Sequence, residues 1–199
     1  MRVNMKRLKF ILSALVTVPL ASFPKAGAKN ETRMQKGFKV NSGEARLGKH
    51  FEMKGVTLNV LDNKISSDDT GGAIAVFEQN GLTPNGGPPL HIHFFQDEFF
   101  YVIEGEYLFQ AGEVKYRVKS GDTIFLPRNV PHAFVQLTEK ARVLVSYIPA
   151  GKMEDFFRTT DAWTLPPSPQ EITKVFEDHE MKVVGPPLKA NGVDQNGRD

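Results

Sequence analysis

The hydrophobic pattern divides the chain into four stretches. From Phe10 to Phe23 apolar residues run almost unbroken. Residues 29–50 are polar and contain glycine, which predicts an irregular arm or an edge strand. From 51 to 150 the pattern has a period of two. Val56–Leu61, Ala73–Phe77 and Val114–Val118 alternate, and Glu98–Ile103 is rich in aromatic and β-branched residues. Such segments mark strands with one buried face. Glu104-Gly105, Gly112-Glu113 and Ser120-Gly121-Asp122 are turn signals between them. Glu106–Ala111, Thr123–Leu126, His132–Leu137 and Ala141–Ile148 complete the series. Short strands at regular spacing predict an all-β sandwich or barrel over 51–150. Beyond it the character changes. Met153–Thr159 suits one or two helical turns, and Ser168-Pro169-Gln170-Glu171 is a capping box with proline at the first helical position. The helix it opens is expected to run to about Met181, within a short C-terminal helical segment at 151–188. Gly185-Pro186-Pro187 stops regular structure, and the Asn/Gly/Asp-rich tail at 189–199 is expected to be disordered.

The first stretch is read as an address. Arg2, Lys6, Arg7 and Lys9 precede the apolar run, and Ala26-Gly27-Ala28 supplies a small-x-small cleavage pattern. Residues 1–28 therefore read as a secretory signal peptide, with Met5 an alternative start. The apolar run is short for a membrane span, which needs roughly 20 residues. The formal net charge of +2 changes meaning with this assignment. Five of the 25 basic residues and none of the 23 acidic ones lie in the first 28, so the remainder is net −3. Bulk charge then offers nothing to nucleic acid. The expectation is an exported protein, periplasmic or secreted, with no membrane attachment after cleavage. There are no cysteines, which excludes disulfides, thiol nucleophiles and cysteine-ligated metals.

The candidate chemistry lies with histidine. Of five histidines, three fall among the strands, two of them as His91-Ile92-His93. Residues i and i+2 of a strand face the same way, so these two imidazoles stand side by side. Glu98 opens the next strand, and His132 follows Pro127-Arg128-Asn129-Val130-Pro131. Two or three imidazoles with one carboxylate suit Fe, Mn, Ni, Cu or Zn and leave coordination positions for a substrate. Phe95, Phe100 and Phe134 share the parity of the histidines or of Glu98, and are candidates for a substrate pocket. Gln136 shares the parity of His132 and could donate a hydrogen bond near the metal. His50 and His179 are expected at surface or packing positions. Trp163 is expected to pack the C-terminal segment onto the barrel, and Asp97 to face solvent.

Two longer patterns carry a resemblance. Gly86-Gly-Pro-Pro-Leu-His91-Ile-His93-Phe-Phe-Gln-Asp-Glu98, followed after six residues by Gly105, resembles the first motif of the cupin superfamily. Gly121-Asp-Thr-Ile-Phe-Leu-Pro127-Arg-Asn-Val-Pro-His132-Ala-Phe-Val-Gln136 resembles the second. Fifteen residues separate Gly105 from Gly121, the short spacing of bacterial cupins. Asn85 and Asn129 stand near positions where the motifs usually have glycine, and Gln136 where they usually have asparagine. The resemblance implies a single double-stranded β-helix, or jelly-roll, barrel. It also implies one divalent transition metal held by His91, His93, Glu98 and His132, and a homodimer formed through edge strands and the 29–50 arm. Thr70-Gly71-Gly72, Glu98–Gly105 and Met181–Leu188 are further similar to small bacterial quercetin 2,3-dioxygenase-like cupins. That likeness implies a dioxygenase-like enzyme acting on a small aromatic or enol-type molecule, with Glu98 as general base. A non-catalytic cupin that binds metal and a small ligand stays open as an alternative. So does a cupin of the sugar isomerase or epimerase type.

Overall fold

The computed structural model describes residues 36–57 and 59–190. The expected signal peptide at 1–28, the start of the arm, and positions 191–199 of the tail lie outside the described residues. In chain order the elements are β1 (His50–Glu52), β2 (Asn59–Ile65), α1 (Ser67–Thr70), β3 (Ala75–Gly81), β4 (Pro89–His93), β5 (Asp97–Glu104), β6 (Glu106–Ala111) and β7 (Val114–Lys119). They continue as β8 (Thr123–Leu126), β9 (His132–Gln136), β10 (Ala141–Ile148), α2 (Met153–Asp161), α3 (Pro169–Asp178) and β11 (Met181–Pro187).

The strands form two antiparallel sheets, ordered β1-β2-β3-β10-β5-β8 and β11-β4-β9-β6-β7. This is the all-β jelly-roll expected from the sequence, with short helices added. Phe100 of the first sheet meets Phe109 and Phe134 of the second at centroid distances of 5.1 and 5.9 Å. The core therefore sits between the sheets, and edge-on aromatic contacts join them. Burial alternates along β4 and β5, with His91, His93, Glu98, Phe100 and Val102 turned inward.

Departures from the expected pattern have local causes. Val56 lies in a turn at 54–56 where Gly55 takes φ 72°, so β2 begins only at Asn59. The alternation in Val114–Val118 buries only Val118, because β7 is the edge of its sheet. A short α1, unmarked in the sequence pattern, starts at a Ser66/Asp69 capping box and ends at left-handed Gly71.

The largest departure is at the C-terminus. The capping box at Ser168 opens α3 as expected, but the helix ends at Asp178. Glu180 takes a positive φ of 67°, and the chain returns as β11 beside β4. Pro187 pairs with Pro89 on this edge strand, where a missing N–H can face away from the ladder. Proline there marks an edge rather than the end of the sheet. Both helices turn apolar faces to the barrel. Phe157 of α2 packs on Phe77 at 4.8 Å, and Phe176 of α3 lies 5.2 Å from the His91 ring. Trp163 is half-buried against the same core, as expected. His50 pairs with buried Asp62, and His179 bonds back to the Val175 carbonyl at 2.7 Å, so both serve packing.

Candidate metal centre

β4, β5 and β9 bring four chemically related side chains together. His91 lies directly opposite His132 across the β4–β9 pair. His93 ends β4, and Glu98 is the first inward residue of β5. Two backbone-anchored contacts hold the segments that join them. The Asn129 N–H donates to the His93 carbonyl at 2.8 Å. Arg128 binds Asp97 through its backbone N–H, Nε and Nη2, at 2.9, 3.1 and 2.6 Å. Asp97 thus faces away from the cluster, as expected, but in an ion pair rather than alone in solvent. The Arg128 guanidinium and N–H hold the Asp97 carboxyl below the usual range. Asn129 and Asn85 both adopt left-handed backbone, φ 62° and 65°, so asparagine meets the conformation that usually calls for glycine.

The donor atoms converge. His93 Nε2 lies 2.6 Å from Glu98 Oε1 and 3.2 Å from His91 Nε2, and His132 Nε2 lies 3.3 Å from Glu98 Oε1. One ligand atom from each of the four residues lies within 4.8 Å of all the others, and all four residues are buried. Nitrogen and oxygen ligands about 2.0–2.2 Å from a shared ion stand roughly 3.0–3.4 Å from one another. The His91–His93 and His132–Glu98 spacings fall within that range, and His93–Glu98 is a few tenths of an ångström shorter. Orientation fits as well. His91 Nδ1 donates to the Pro89 carbonyl at 2.8 Å and His132 Nδ1 to the Val130 carbonyl at 2.9 Å. Each bond fixes the tautomer that leaves Nε2 bare toward the cluster. His91, His93, Glu98 and His132 are therefore suited to hold one divalent transition metal.

The electrostatics follow from crowding in a dry place. Burial, and then the charges of His132 and His93, push the His91 pKa well below its ordinary value. Burial raises the Glu98 carboxyl, but the neighbouring His93 and His132 outweigh it and hold it well below the usual range. Burial lowers His132, and the charge and hydrogen bond of Glu98 more than reverse that. Tyr147 lies directly opposite Glu98 across β5 and β10, and its ring stacks on His93 at 5.9 Å. Burial and then the Glu98 charge raise its hydroxyl well above the ordinary value, so it stays protonated.

A cavity of about 30 Å³ adjoins the four donors. Phe134 lines it, as expected from its parity with His132. The other three candidate pocket residues do not. Phe95 is 56% exposed and borders a surface depression with Gly71 and Pro149, because strand parity ends with β4 at His93. Phe100 faces inward but sits one strand repeat beyond Glu98, inside the Phe109–Phe134 cluster. Gln136 lies four residues beyond His132 and donates Nε2–H to the Thr138 carbonyl at 2.7 Å. Its Oε1 would lie 1.7 Å from a Cβ at Gly81, so the pair fills the barrel away from the metal ligands. Gln79, Tyr147, Met153, Phe156, Phe157, Phe176 and Met181 line the cavity without having been expected there. The spacing of Met153, Phe156 and Phe157 does signal one apolar helical face, but not what that face covers.

Residues 81–147 match the family model described as a cupin domain. An uncharacterised protein of Methanocaldococcus jannaschii is 42% identical over 43 residues, which is 22% of this chain and 34% of that protein. The match thus spans about a third of that relative's length. The polyketide cyclase RemF from Streptomyces resistomycificus is 23% identical, with TM-score 0.49, over 58% of this chain and 80% of its own. An RmlC-like cupin from Shewanella frigidimarina is 18% identical, with TM-score 0.49, over 62% of this chain and 98% of its own. No activity is carried over from these proteins. The two motifs, the jelly-roll barrel and the buried His/Glu cluster agree with the cupin-domain match over residues 81–147.

Proposed function

We propose that the protein is a mononuclear metal-dependent oxidoreductase of the dioxygenase type, acting on a small enol-type substrate. The observation that carries this reading is a buried three-histidine, one-carboxylate donor set facing a largely apolar cavity. A divalent transition metal bound there supplies a Lewis-acid centre with positions left for substrate oxygens. The chain's own residues supply orientation, dryness and proton handling. The phenylalanine and methionine walls exclude water, so charges inside are weakly screened. Glu98 is the one carboxylate lining the cavity, which supports its reading as the general base for a substrate hydroxyl proton. Protonated Tyr147 stands across from it as a donor.

Cavity size narrows the substrate. Sites for drug-sized ligands measure roughly 300–1,000 Å³. A space of about 30 Å³ is small against that range, which favours a short enol-type molecule over a flavonol. Beyond the four donors, Gln79 and Tyr147 are the polar side chains at the cavity, too few for the hydroxyls of a sugar. That disfavours an isomerase or epimerase of carbohydrates.

Elemental analysis with oxygen uptake tests the reading. One metal per chain is expected, with uptake on short enolisable diketones and none on flavonols. No uptake across the panel with Fe, Mn, Ni or Cu would overturn it. Export on the 1–28 pattern and a homodimeric state belong to the same proposal. An exported form that begins at Lys29 and a dimer mass in solution are the expected results.

A further inference from the structure

Gln79 is 3% exposed, lines the metal cavity, and has an Nε2 group without a hydrogen-bond partner. Its cross-strand neighbours explain the missing partner. It pairs with Leu61 on β2 and Val143 on β10, both buried aliphatic residues that offer no side-chain acceptor. Buried polar groups nearly always find a partner. A buried amide donor at a cavity therefore calls for an acceptor on whatever occupies that cavity.

The size of the cavity is built in. The space open to the centre of a water-sized sphere is about 30 Å³, more than the roughly 10–15 Å³ that one water needs and far below that of a drug-sized site. The wall formed by α2 is tied at both ends. Near its start, the buried Glu154 carboxylate accepts hydrogen bonds from Ser66 Oγ at 3.2 Å, from the Ser67 N–H, and from Arg158 at 3.0 Å. At its end, Asp161 accepts from the Glu52 N–H at 3.1 Å and pairs with Lys49 at 2.9 Å. On the other side β11 is paired with β4, which places Met181 opposite His93. Enlarging the cavity would mean breaking these ties. Charge adds a third constraint. A divalent ion with Glu98 leaves one net positive charge, and no other acidic or basic side chain except the imidazoles lines the space. An unbalanced charge in a dry cavity favours a ligand of opposite sign.

We infer that the cavity selects a monoanion of a few heavy atoms, a carboxylate or enolate, and that Gln79 determines this specificity by donating its Nε2–H to the ligand oxygen. The inference rests on the metal-centre reading above and narrows its substrate class.

The test uses the full chain loaded with zinc, which separates binding from oxygen chemistry. Metal content is measured first, and acetate and benzoate are then titrated calorimetrically. Acetate is expected to bind, and benzoate at least about tenfold more weakly. Gln79→Leu is expected to keep its metal and its melting temperature, because it removes an unpaired buried donor, while losing about tenfold in acetate affinity. Where Gln79→Leu yields too little folded protein, Gln79→Asn withdraws the amide by one methylene and should show the same loss. No acetate binding, equal acetate affinity in variant and parent, or benzoate binding as tightly as acetate would each overturn the inference. A zinc-loaded protein that binds acetate through Gln79, but shows no oxygen uptake with a redox metal, overturns the oxygenase reading and leaves this inference standing. A protein that takes up no metal overturns both.

Discussion

The metal centre is built by two regions that carry information differently. β4, β5 and β9 supply the four donors within 42 residues, and the resemblance to the two cupin motifs picks out each of them. The C-terminal segment supplies no donor. It supplies Met153, Phe156, Phe157, Phe176 and Met181, which determine how much space the donors face. The first region decides what can be bound at the centre of the barrel. The second decides what can reach it. Similar donor strands under a different cap would present similar donors to a larger ligand, which is why fold and donors alone do not specify a substrate.

Four changes would break or sharpen this contrast. The largest effect is expected at Glu98. Glu98→Gln keeps an oxygen ligand but removes the base, so turnover should fall at least a hundredfold while most of the metal is retained. Parallel loss of metal and activity, measured by elemental analysis on the same sample, would make Glu98 a ligand alone.

On the cap side, Phe156→Ala removes a fully buried ring beside Phe157 and Phe176. Denaturant unfolding should show a loss of about 3–4 kcal/mol. The metal should stay, and benzoate binding should appear. Metal loss in this variant would show that the cap also supports the donors, and would blur the distinction between the two regions.

The third effect is one of pH. Proton and metal compete for His132 Nε2, and the Glu98 charge holds the His132 pKa above 6.5 despite burial. As pH falls through that raised value the metal-free site gains a proton that metal binding must displace. Affinity should weaken by about tenfold per pH unit below it and level off above it. A titration with a competing chelator over this range checks the sign.

The smallest effect is expected at Arg128→Ala, which releases Asp97 and the segment leading to His132. The pair is partly exposed, so stability should change by no more than about 1 kcal/mol, with a slight loss of metal affinity. A large loss of metal would move Arg128 from a tether to an essential positioning residue.

Much of the barrel was legible because strand alternation is local. The parity of His91 with His93, and the turn signals at Gly105, Gly112 and Gly121, can be read within a few residues. Phe134 was legible on the same basis. Phe95 was not, because parity holds only while the strand lasts, and the strand ends at His93. Phe100 and Gln136 have the right parity but the wrong depth, a coordinate that alternation does not contain. β11 was hidden by Gly185-Pro186-Pro187, which reads as a stop unless the strand is known to be an edge. Gln79 had no mark at all. It gains meaning only because β3 places its amide at the metal cavity between two aliphatic neighbours.

By itself the sequence determined the all-β class and many of the strand faces, and through its two motifs it pointed to the donor set. The class and the faces depend on backbone periodicity and on residues close together in the chain, and the donors on a resemblance carried by residues 86–136. Only the tertiary structure decided the size of the cavity, the seat of the helical cap and the unpaired amide of Gln79. Those depend on contacts between residues tens of positions apart, whose distances are set by packing rather than by spacing along the chain.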